Sequence, residues 1–225
     1  MKKLAKKYAA GLALIEKGKK YSVAEACDLV KKTATAKWDE TIDVSFKLNI
    51  DPKQADQQLR GTIVLPHGNG KTVKVLAITD KVEEAKAAGA DFIGQQDMLD
   101  KITKENWFGF DVIVATPNMM GLLGRMGRVL GPKGLMPNPK SGTVSPNIAQ
   151  AIKEIKAGKV TYRNDKDGNV ALNFGKASFS ASDLADNLQI IVDTINKIRP
   201  ATIKGTYITT AVISCTYGPA IKLAC

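Results

Sequence analysis

Apolar and polar side chains alternate strictly in a segment near the amino-terminal end of the chain. In TIDVSFKLNI, residues 41–50, the five apolar side chains occupy every second position. A period of two is typical of a β-strand with one face in the core and the other in water. The same alternation returns at 170–174, so both ends of the chain are predicted to contribute two-faced strands. GTIVLP at 61–66 is predicted as a second short strand, and GTYITTAVIS at 205–214 as the final strand.

The middle of the chain has a different pattern. TVKVLAIT at 72–79, DFIG at 91–94 and DVIVATP at 111–117 are short apolar runs, separated by helical or loop segments. DKVEEAKAAGA, at 80–90, is predicted as a helix that ends near Gly89. Short apolar strands that alternate with helices indicate a parallel sheet with helices on its faces.

Two further helices have recognisable termini. Ser22 and Glu25 have the spacing of a capping box, which predicts a helix from there to about Thr33. SPNIAQAIKEIKAGK is predicted as a helix with Ser145 as its N-cap and Gly158 as its terminator.

Two segments have the spacing of amphipathic helices. SDLADNLQIIVDTINKIRP is predicted as a helix that Pro200 breaks. The amino-terminal MKKLAKKYAAGLALIEKGKK resembles a secretory signal, but its apolar stretch is brief and leads into lysines and a glutamate instead of a cleavage site. We therefore interpret it as an amphipathic helix, with these apolar positions on one face: Leu4, Tyr8, Leu12 and Ile15.

These patterns predict an α+β fold of two domains. Residues 1–67 plus 160–225 are predicted to form a discontinuous antiparallel α+β domain. Residues 68–159 are predicted to form an inserted α/β domain, Rossmann-like with a parallel sheet. Two linkers, LPHGNGK and AGKVTYR, cross the junction. The predicted hinge consists of His67, Gly68, Gly70, Gly158 and Lys159.

GRVLGPKGLMPNPKSGTV, residues 127–144, is rich in glycine, proline and basic residues and has no acid. Proline and glycine disfavour regular secondary structure, so the sequence predicts an irregular loop here. Such a loop presents backbone amides and cations to a polyanion; alternatively, it is a rigid structural loop whose prolines limit its entropy. Residues 118–159 carry seven basic residues against Glu154 alone.

Composition indicates a basic protein with an ordinary apolar content. The formal net charge is +11, and 44% of the 225 residues are hydrophobic. An excess of positive charge favours polyanionic partners, such as nucleic acid or an acidic membrane surface. The three cysteines, Cys27, Cys215 and Cys225, have neither metal-ligand spacing nor an even number for a disulfide set, which is typical of reduced cytosolic thiols. No segment has the ~18 apolar residues needed to span a bilayer.

Enzyme motifs are incomplete. HGNGKT ends like a phosphate-binding loop, but the position of its first glycine holds Leu65 and a strand is predicted to follow. His67 is the only histidine, which excludes most histidine-dependent sites. Asp39, Glu40 and Asp43 form a carboxylate cluster, but Asp43 falls on the polar face of a predicted strand. No catalytic site, metal site, cofactor or small-molecule substrate is predicted.

Two segments have the composition of RNA-binding surfaces. In AKWDET, residues 36–41, Trp38 precedes the apolar alternation and is either the lid of a core or a stacking platform. In SCTYGP, residues 214–219, Tyr217 stands beside Thr216 and a Gly-Pro pair. Aromatic faces stack on unpaired bases, cations meet phosphates, and hydroxyls bond base edges or the ribose 2′-hydroxyl.

Five segments together resemble the ribosomal protein L-one family, the protein of the mobile stalk beside the large subunit's exit site. They are KWDETIDV, LPHGNGK, LGPKGLMPNPKSGTV, GKVTYRNDK and TYGP, and the match runs through essentially the whole chain. The resemblance implies the split two-domain architecture, binding to large-subunit ribosomal RNA, and help with movement and release of deacylated tRNA from the exit site. In bacteria it also implies repression of the protein's own operon through messenger RNA.

The resemblance also implies the residues of an RNA site and the partners. Its RNA contacts fall on Lys37, Trp38, Glu40, Thr41, Arg163, Lys166, Ser214, Thr216, Tyr217 and Gly218. Position 38 is more typically phenylalanine in the family and position 217 methionine, and both replacements keep an apolar stacking surface. A second basic surface, for ribosomal RNA or tRNA, consists of Arg125, Arg128, Lys133 and Lys140. The expected protein is a cytoplasmic monomer within the large ribosomal subunit, with no membrane partner. The alternative from the residues alone is a nucleotide-dependent α/β enzyme with an RNA-binding appendage.

Overall fold

A computed structural model describes residues 5–224, the side chain of Ala55 excepted, so Leu4 and Cys225 lie outside the described residues. The strands are β1 (Thr41–Leu48), β2 (Arg60–Val64), β3 (Val75–Ile78), β4 (Phe92–Gly94), β5 (Val112–Ala115), β6 (Lys159–Arg163), β7 (Asn169–Lys176), β8 (Ile208–Cys215) and β9 (Ile221–Lys222). The α-helices are α1 (Lys6–Ala13), α2 (Val23–Thr33), α3 (Val82–Ala87), α4 (Gln96–Glu105), α5 (Met120–Arg125), α6 (Gly127–Leu130), α7 (Ile148–Lys156) and α8 (Ala181–Lys197).

The chain divides into two compact units. The first contains residues up to Gly70 together with those from Val160 onward, and the second is Lys71–Lys159. The predicted boundaries, after 67 and after 159, stay a prediction about independently folding domains, which separate expression of the pieces would test.

An antiparallel sheet in the order β7-β1-β8-β9 forms the centre of the first unit. The alternation predicted for β1 is confirmed: Ile42 and Val44 are fully buried and Phe46 is 1% exposed. The predicted alternation in β7 is also present, with Val170, Leu172 and Phe174 buried. The sequence prediction that β8 is the final strand is wrong, because β9 follows it and pairs with it.

Helices α2 and α8 supply the rest of this core. At the start of α2, the Ser22 side chain accepts a hydrogen bond from the Glu25 amide, and the Glu25 carboxylate accepts one from the Ser22 amide. The predicted capping box is therefore confirmed. In α8, Leu184, Leu188 and Ile195 are fully buried, as expected of one apolar face.

The first predicted linker is hydrogen-bonded to the first unit. Asn187 of α8 is fully buried, and its side-chain oxygen accepts a hydrogen bond of 3.3 Å from the His67 amide. Its side-chain nitrogen donates to the carbonyl oxygens of Gly68 and Phe174, both at 2.9 Å. Farther along, Gly70 has φ of +70°, a conformation that favours glycine.

Part of the second predicted linker belongs to regular secondary structure. Gly158, with φ of +99°, follows the end of α7, and Lys159 begins β6, which pairs with β2. The hinge residues thus lie at a helix end, a strand start and a hydrogen-bonded turn. Their role as a hinge stays a prediction.

The second unit has a parallel sheet in the order β4-β3-β5. Along β3, Leu76 and Ile78 belong to one apolar cluster with α4 and α5, whereas Val75 and Ala77 belong to another with α3 and α7. The two faces of the sheet are thus both covered by helices. The predicted α+β fold class, with an antiparallel sheet and a separate parallel one, is confirmed.

Two local predictions in this unit are wrong. Helix α7 begins at Ile148, and its cap is Asn147, whose side chain accepts a hydrogen bond from the Gln150 amide at 3.2 Å. Ser145 instead accepts a hydrogen bond from the Asn147 amide, two residues too early to cap the helix. The glycine- and proline-rich stretch is also not wholly irregular, because it contains the four-residue helix α6. The four residues of α6 precede the first proline of the stretch, which removes the main obstacle to a helix there.

Candidate nucleic-acid interface

Trp38 lies on the surface, in the segment that joins α2 to β1. Its side chain is among the exposed large hydrophobic residues, with 53% of the residue accessible. It therefore does not close the core, and its role as a stacking platform stays a prediction. Lys37 next to it is also exposed.

Tyr217 lies beside Trp38, although the two residues are 179 positions apart in the sequence. It follows β8 and is 63% exposed, and its ring centroid lies 5.8 Å from that of Trp38 with an interplanar angle of 88°. The pairing of β1 with β8 explains the proximity, because Ile42 is opposite Cys215 in the sheet. An edge-to-face pair of this kind leaves ring surface open to solvent.

Glu40 has a role that the sequence did not predict. It is only 1% exposed, so the isolated protein offers no accessible carboxylate here for a base edge. Oε1 accepts hydrogen bonds from the amides of Thr35 (2.8 Å) and Ala36 (2.6 Å), and Oε2 accepts one from the Tyr217 amide (3.1 Å). One buried carboxylate thus joins the segment that carries Trp38 to the turn that carries Tyr217.

The electrostatics of Glu40 match this arrangement. Burial alone would raise the pKa of the carboxyl group, but hydrogen bonds from the amides of Ala36, Tyr217 and Thr35 and from the Cys215 thiol outweigh it and hold the pKa below its usual value. The group is therefore ionised at neutral pH, as a carboxylate that accepts several amide hydrogen bonds should be.

The predicted hydroxyl residues Thr41, Ser214 and Thr216 lie on the strands and the turn that carry the aromatic pair. Thr216 Oγ1 donates to the carbonyl oxygen of Thr41 at 3.3 Å, and Lys176 Nζ donates to Thr41 Oγ1 at 3.1 Å. Ser214 pairs with Asp43 across the β1–β8 ladder. Lys176 was missed from the sequence, since only the β1–β7 register, which places it opposite Thr41, brings it here.

Gly218 is required by the packing of the turn. A Cβ atom at this position would lie 2.2 Å from Cys215 Sγ and 3.1 Å from Thr33 Oγ1, so no side chain fits. The absence of a side chain lets the turn after β8 lie directly on α2, which fixes the position of Tyr217.

Arg163 and Lys166 form a separate patch. They lie at the end of β6 and in the turn before β7, where they line a shallow surface pocket with Gln58 and Asp165. This turn precedes Asn169, which pairs with Lys47 near the end of β1. Trp38 instead precedes Thr41, at the start of β1. An eight-residue strand spans about 23 Å, so a ligand must be long to contact both patches.

The second predicted basic surface belongs to the second unit. Arg125, Arg128, Lys133 and Lys140 are all exposed, and within residues 5–224 none of the four forms a salt bridge. The ammonium group of Lys133 lies 3.6 Å from the centroid of the Phe108 ring, a cation–π contact that attaches the loop to the apolar cluster beneath it.

Among the described residues, no cluster of histidine, cysteine, aspartate or glutamate has the arrangement of a metal site. In the same part of the chain, no helix is both long and apolar enough to cross a membrane.

Comparison with known proteins identifies the family. A family model described as the ribosomal protein L1p/L10e family matches residues 30–219. The chain is also 54% identical, over 224 residues, to the large ribosomal subunit protein uL1 of Mesoplasma florum, and the match covers 99% of each chain. The chain belongs to the ribosomal protein L1 family.

Membership of the L1 family decides between the two functional classes left open by the sequence. Proteins of this family are structural, non-enzymatic components of the large ribosomal subunit, so the alternative of a nucleotide-dependent enzyme is wrong. The resemblance stated from five short motifs is confirmed. The matched residues 30–219 include the segments of Trp38 and Tyr217 but not α1.

Proposed function

We propose that this L1-family protein binds the stalk of large-subunit ribosomal RNA through the surface around Trp38 and Tyr217. The observation that carries the proposal is the exposed pair of aromatic rings, held together by the buried carboxylate of Glu40. Exposed aromatic faces are costly in water unless a partner covers them, and unpaired bases are partners that such faces bind well.

The neighbouring groups supply the polar half of such a site. Lys37 and Lys176 provide cations for phosphates, and Thr41, Ser214 and Thr216 provide hydroxyls for ribose or base edges. Gly218 and Glu40 act by shaping the turn and joining the segments. Arg163 and Lys166, at the far end of the β1–β7 pair, are proposed to meet the backbone of the same RNA.

Two further roles belong to the same proposal. The protein, a monomer within the ribosome, assists movement and release of deacylated tRNA from the exit site, with Arg125, Arg128, Lys133 and Lys140 facing nucleic acid. Flexing at the two linkers accompanies this movement. The protein also represses its own operon by binding messenger RNA with the Trp38–Tyr217 surface, because one RNA surface can serve two RNAs of similar shape.

Removal of the second unit tests which part binds the RNA. We expect a variant with a Gly/Ser bridge in place of residues 71–159 to fold and to bind protein-free stalk RNA within about threefold of the parent, a difference below 1 kcal/mol. The reason is that the central sheet and the aromatic pair lie entirely in the first unit. Circular dichroism and filter binding measure the result. An unfolded spectrum, or loss of most affinity in a folded variant, would show that the second unit is integral to the site.

Removing the four positive charges of the second basic surface tests its role. We expect the change of Arg125, Arg128, Lys133 and Lys140 to glutamine to leave stalk-RNA affinity nearly unchanged and to slow release of tRNA from whole ribosomes. Each phosphate contact contributes ~0.7–0.9 to the log–log salt slope of binding, so an unchanged slope on stalk RNA would place the four cations elsewhere. Lys133→Gln alone is the control, since it also removes the cation–π contact with Phe108. Equal release rates for the fourfold variant and the parent would reject a role in tRNA release.

A further inference from the structure

Helix α1 is seated on both segments that carry the aromatic pair. Lys7 Nζ donates a hydrogen bond of 3.1 Å to the carbonyl oxygen of Thr35, in the segment before Trp38. Gly11 is buried, and a Cβ atom there would lie 3.1 Å from Cδ of Pro219, just after Tyr217. The helix therefore approaches both segments closely at once, and the lack of a side chain at Gly11 allows the second approach.

Between α1 and the aromatic pair lies an apolar groove, which we call the α1 groove. It is lined by Tyr8 and Lys7 from α1, by Ala36, Lys37 and Trp38, and by Tyr217. Tyr8, at 37% exposure, joins Trp38 and Tyr217 as the exposed aromatic residues of the described chain, and all three line this one groove.

The charge around the α1 groove favours an anionic occupant. Lys7 and Lys37 flank it, and within residues 5–224 no aspartate or glutamate lines it. Residues 5–20, which include α1, carry five lysines against one glutamate. The hydrogen bond of Lys7 to Thr35 uses one of three ammonium hydrogens, which leaves two for a phosphate.

We propose that the α1 groove takes one unpaired nucleobase of the bound RNA, with Tyr8 as the third aromatic wall and Lys7 beside the adjoining phosphate. The proposal rests on the proposed RNA-binding function and extends it to a helix outside the residues that match the family model, 30–219. Aromatic walls with flanking cations are the usual setting for a base that has left its helical stack. A base held by base pairing in a duplex cannot enter such a groove.

The test measures binding of the full-length protein to protein-free large-subunit ribosomal RNA. We expect Tyr8→Ala to raise the Kd by about fivefold or more, the lower end of the loss for one base–aromatic stack. Tyr8→Phe keeps the ring and should bind like the parent. The matched control is Leu14→Ala, since Leu14 is 50% exposed just after α1 but does not line the groove. The salt slope should be unchanged in Tyr8→Ala, because stacking releases no counterions.

A second readout locates the contact directly. Ultraviolet irradiation of the complex should cross-link the RNA to the tryptic peptide of residues 8–17, in which Tyr8 is the only aromatic residue. If Tyr8→Ala binds normally and this peptide carries no cross-link while Trp38→Ala is impaired, the proposal for the α1 groove is overturned and the proposed function stands. If Trp38→Ala also binds normally, the proposed function fails with it.

Discussion

Replacing Glu40 with alanine is expected to lower the free energy of unfolding by about 3 kcal/mol, because it leaves several buried amides without an acceptor. The amides of Thr35, Ala36 and Tyr217 all donate to this one carboxylate, and Glu40 is only 1% exposed. RNA affinity should fall as well, since nothing else described at this site bonds to both the segment before Trp38 and the amide of Tyr217. Chemical denaturation and filter binding on the same preparations measure both effects.

The variant Glu40→Gln separates the effect of the negative charge at this position from the effect of the side chain's shape. The glutamine oxygen still accepts from the amides of Thr35 and Ala36, but the side-chain NH2 group cannot accept from the Tyr217 amide. This variant should therefore lose about 2 kcal/mol, less than Glu40→Ala. Equal stability of the parent and Glu40→Ala would mean that the hydrogen bonds of this carboxylate contribute nothing to holding the two segments.

The dependence of stability on pH gives an independent check on the role of the same carboxylate. The pKa of Glu40 in the folded protein is below its usual value, since amide hydrogen bonds outweigh the effect of burial. A depressed pKa means that the stabilisation is complete above about pH 4.3, the usual glutamate value, and is lost as the pH falls through the lower folded-state pKa. The difference in stability between the parent and Glu40→Gln should therefore shrink in that acid range and stay constant from pH 5 to 8.

Trp38→Ala is expected to weaken binding to stalk RNA by about 1–3 kcal/mol, the usual loss for one base–aromatic stack. The thermal stability of the protein should change little, because the side chain is 53% exposed and packs against Tyr217 at the surface. Trp38→Phe keeps a flat ring and should retain most of the affinity. Filter binding at several salt concentrations measures the effect.

The matched control for Trp38 is Val64→Ala, another exposed apolar residue of the first unit, at 48% exposure. It should bind RNA like the parent. A Trp38→Ala protein that melts early but binds normally when folded would assign the tryptophan to stability and remove it from the RNA site.

The elements that the sequence predicted well are those whose signal is local. The period of two in β1, the capping box at Ser22 and Glu25, and the apolar face of α8 each depend on neighbours within a few positions. The same is true of the aromatic residues at 38 and 217, whose chemistry was visible before their partners were known. The resemblance to the family was likewise visible in five short motifs of the sequence.

What could not be predicted depends on contacts between distant parts of the chain. Glu40 was assigned to the RNA through the family resemblance, and the sequence does not reveal its burial, which depends on the distant amides that converge on it. Lys176 reaches Thr41 through the β1–β7 register, which includes an irregularity between Ile42 and Asp43. The N-cap of α7 was misplaced because Ser145 and Asn147 have similar capping preferences, and only the backbone geometry distinguishes them.

The position of β1 in its sheet has a consequence for the newly made polypeptide. β1 lies between β7 and β8, yet the chain is synthesised from its amino terminus, so β1 emerges well before either partner. The edge of β1 that pairs with β7 stays unpaired until Lys176 has emerged, and the edge that pairs with β8 stays unpaired until about residue 215 is outside the exit tunnel. Incomplete translation products therefore lack the aromatic pair, so under the proposed function we expect them not to compete with finished copies for RNA. A chaperone that covers β1 during this interval would protect it from aggregation.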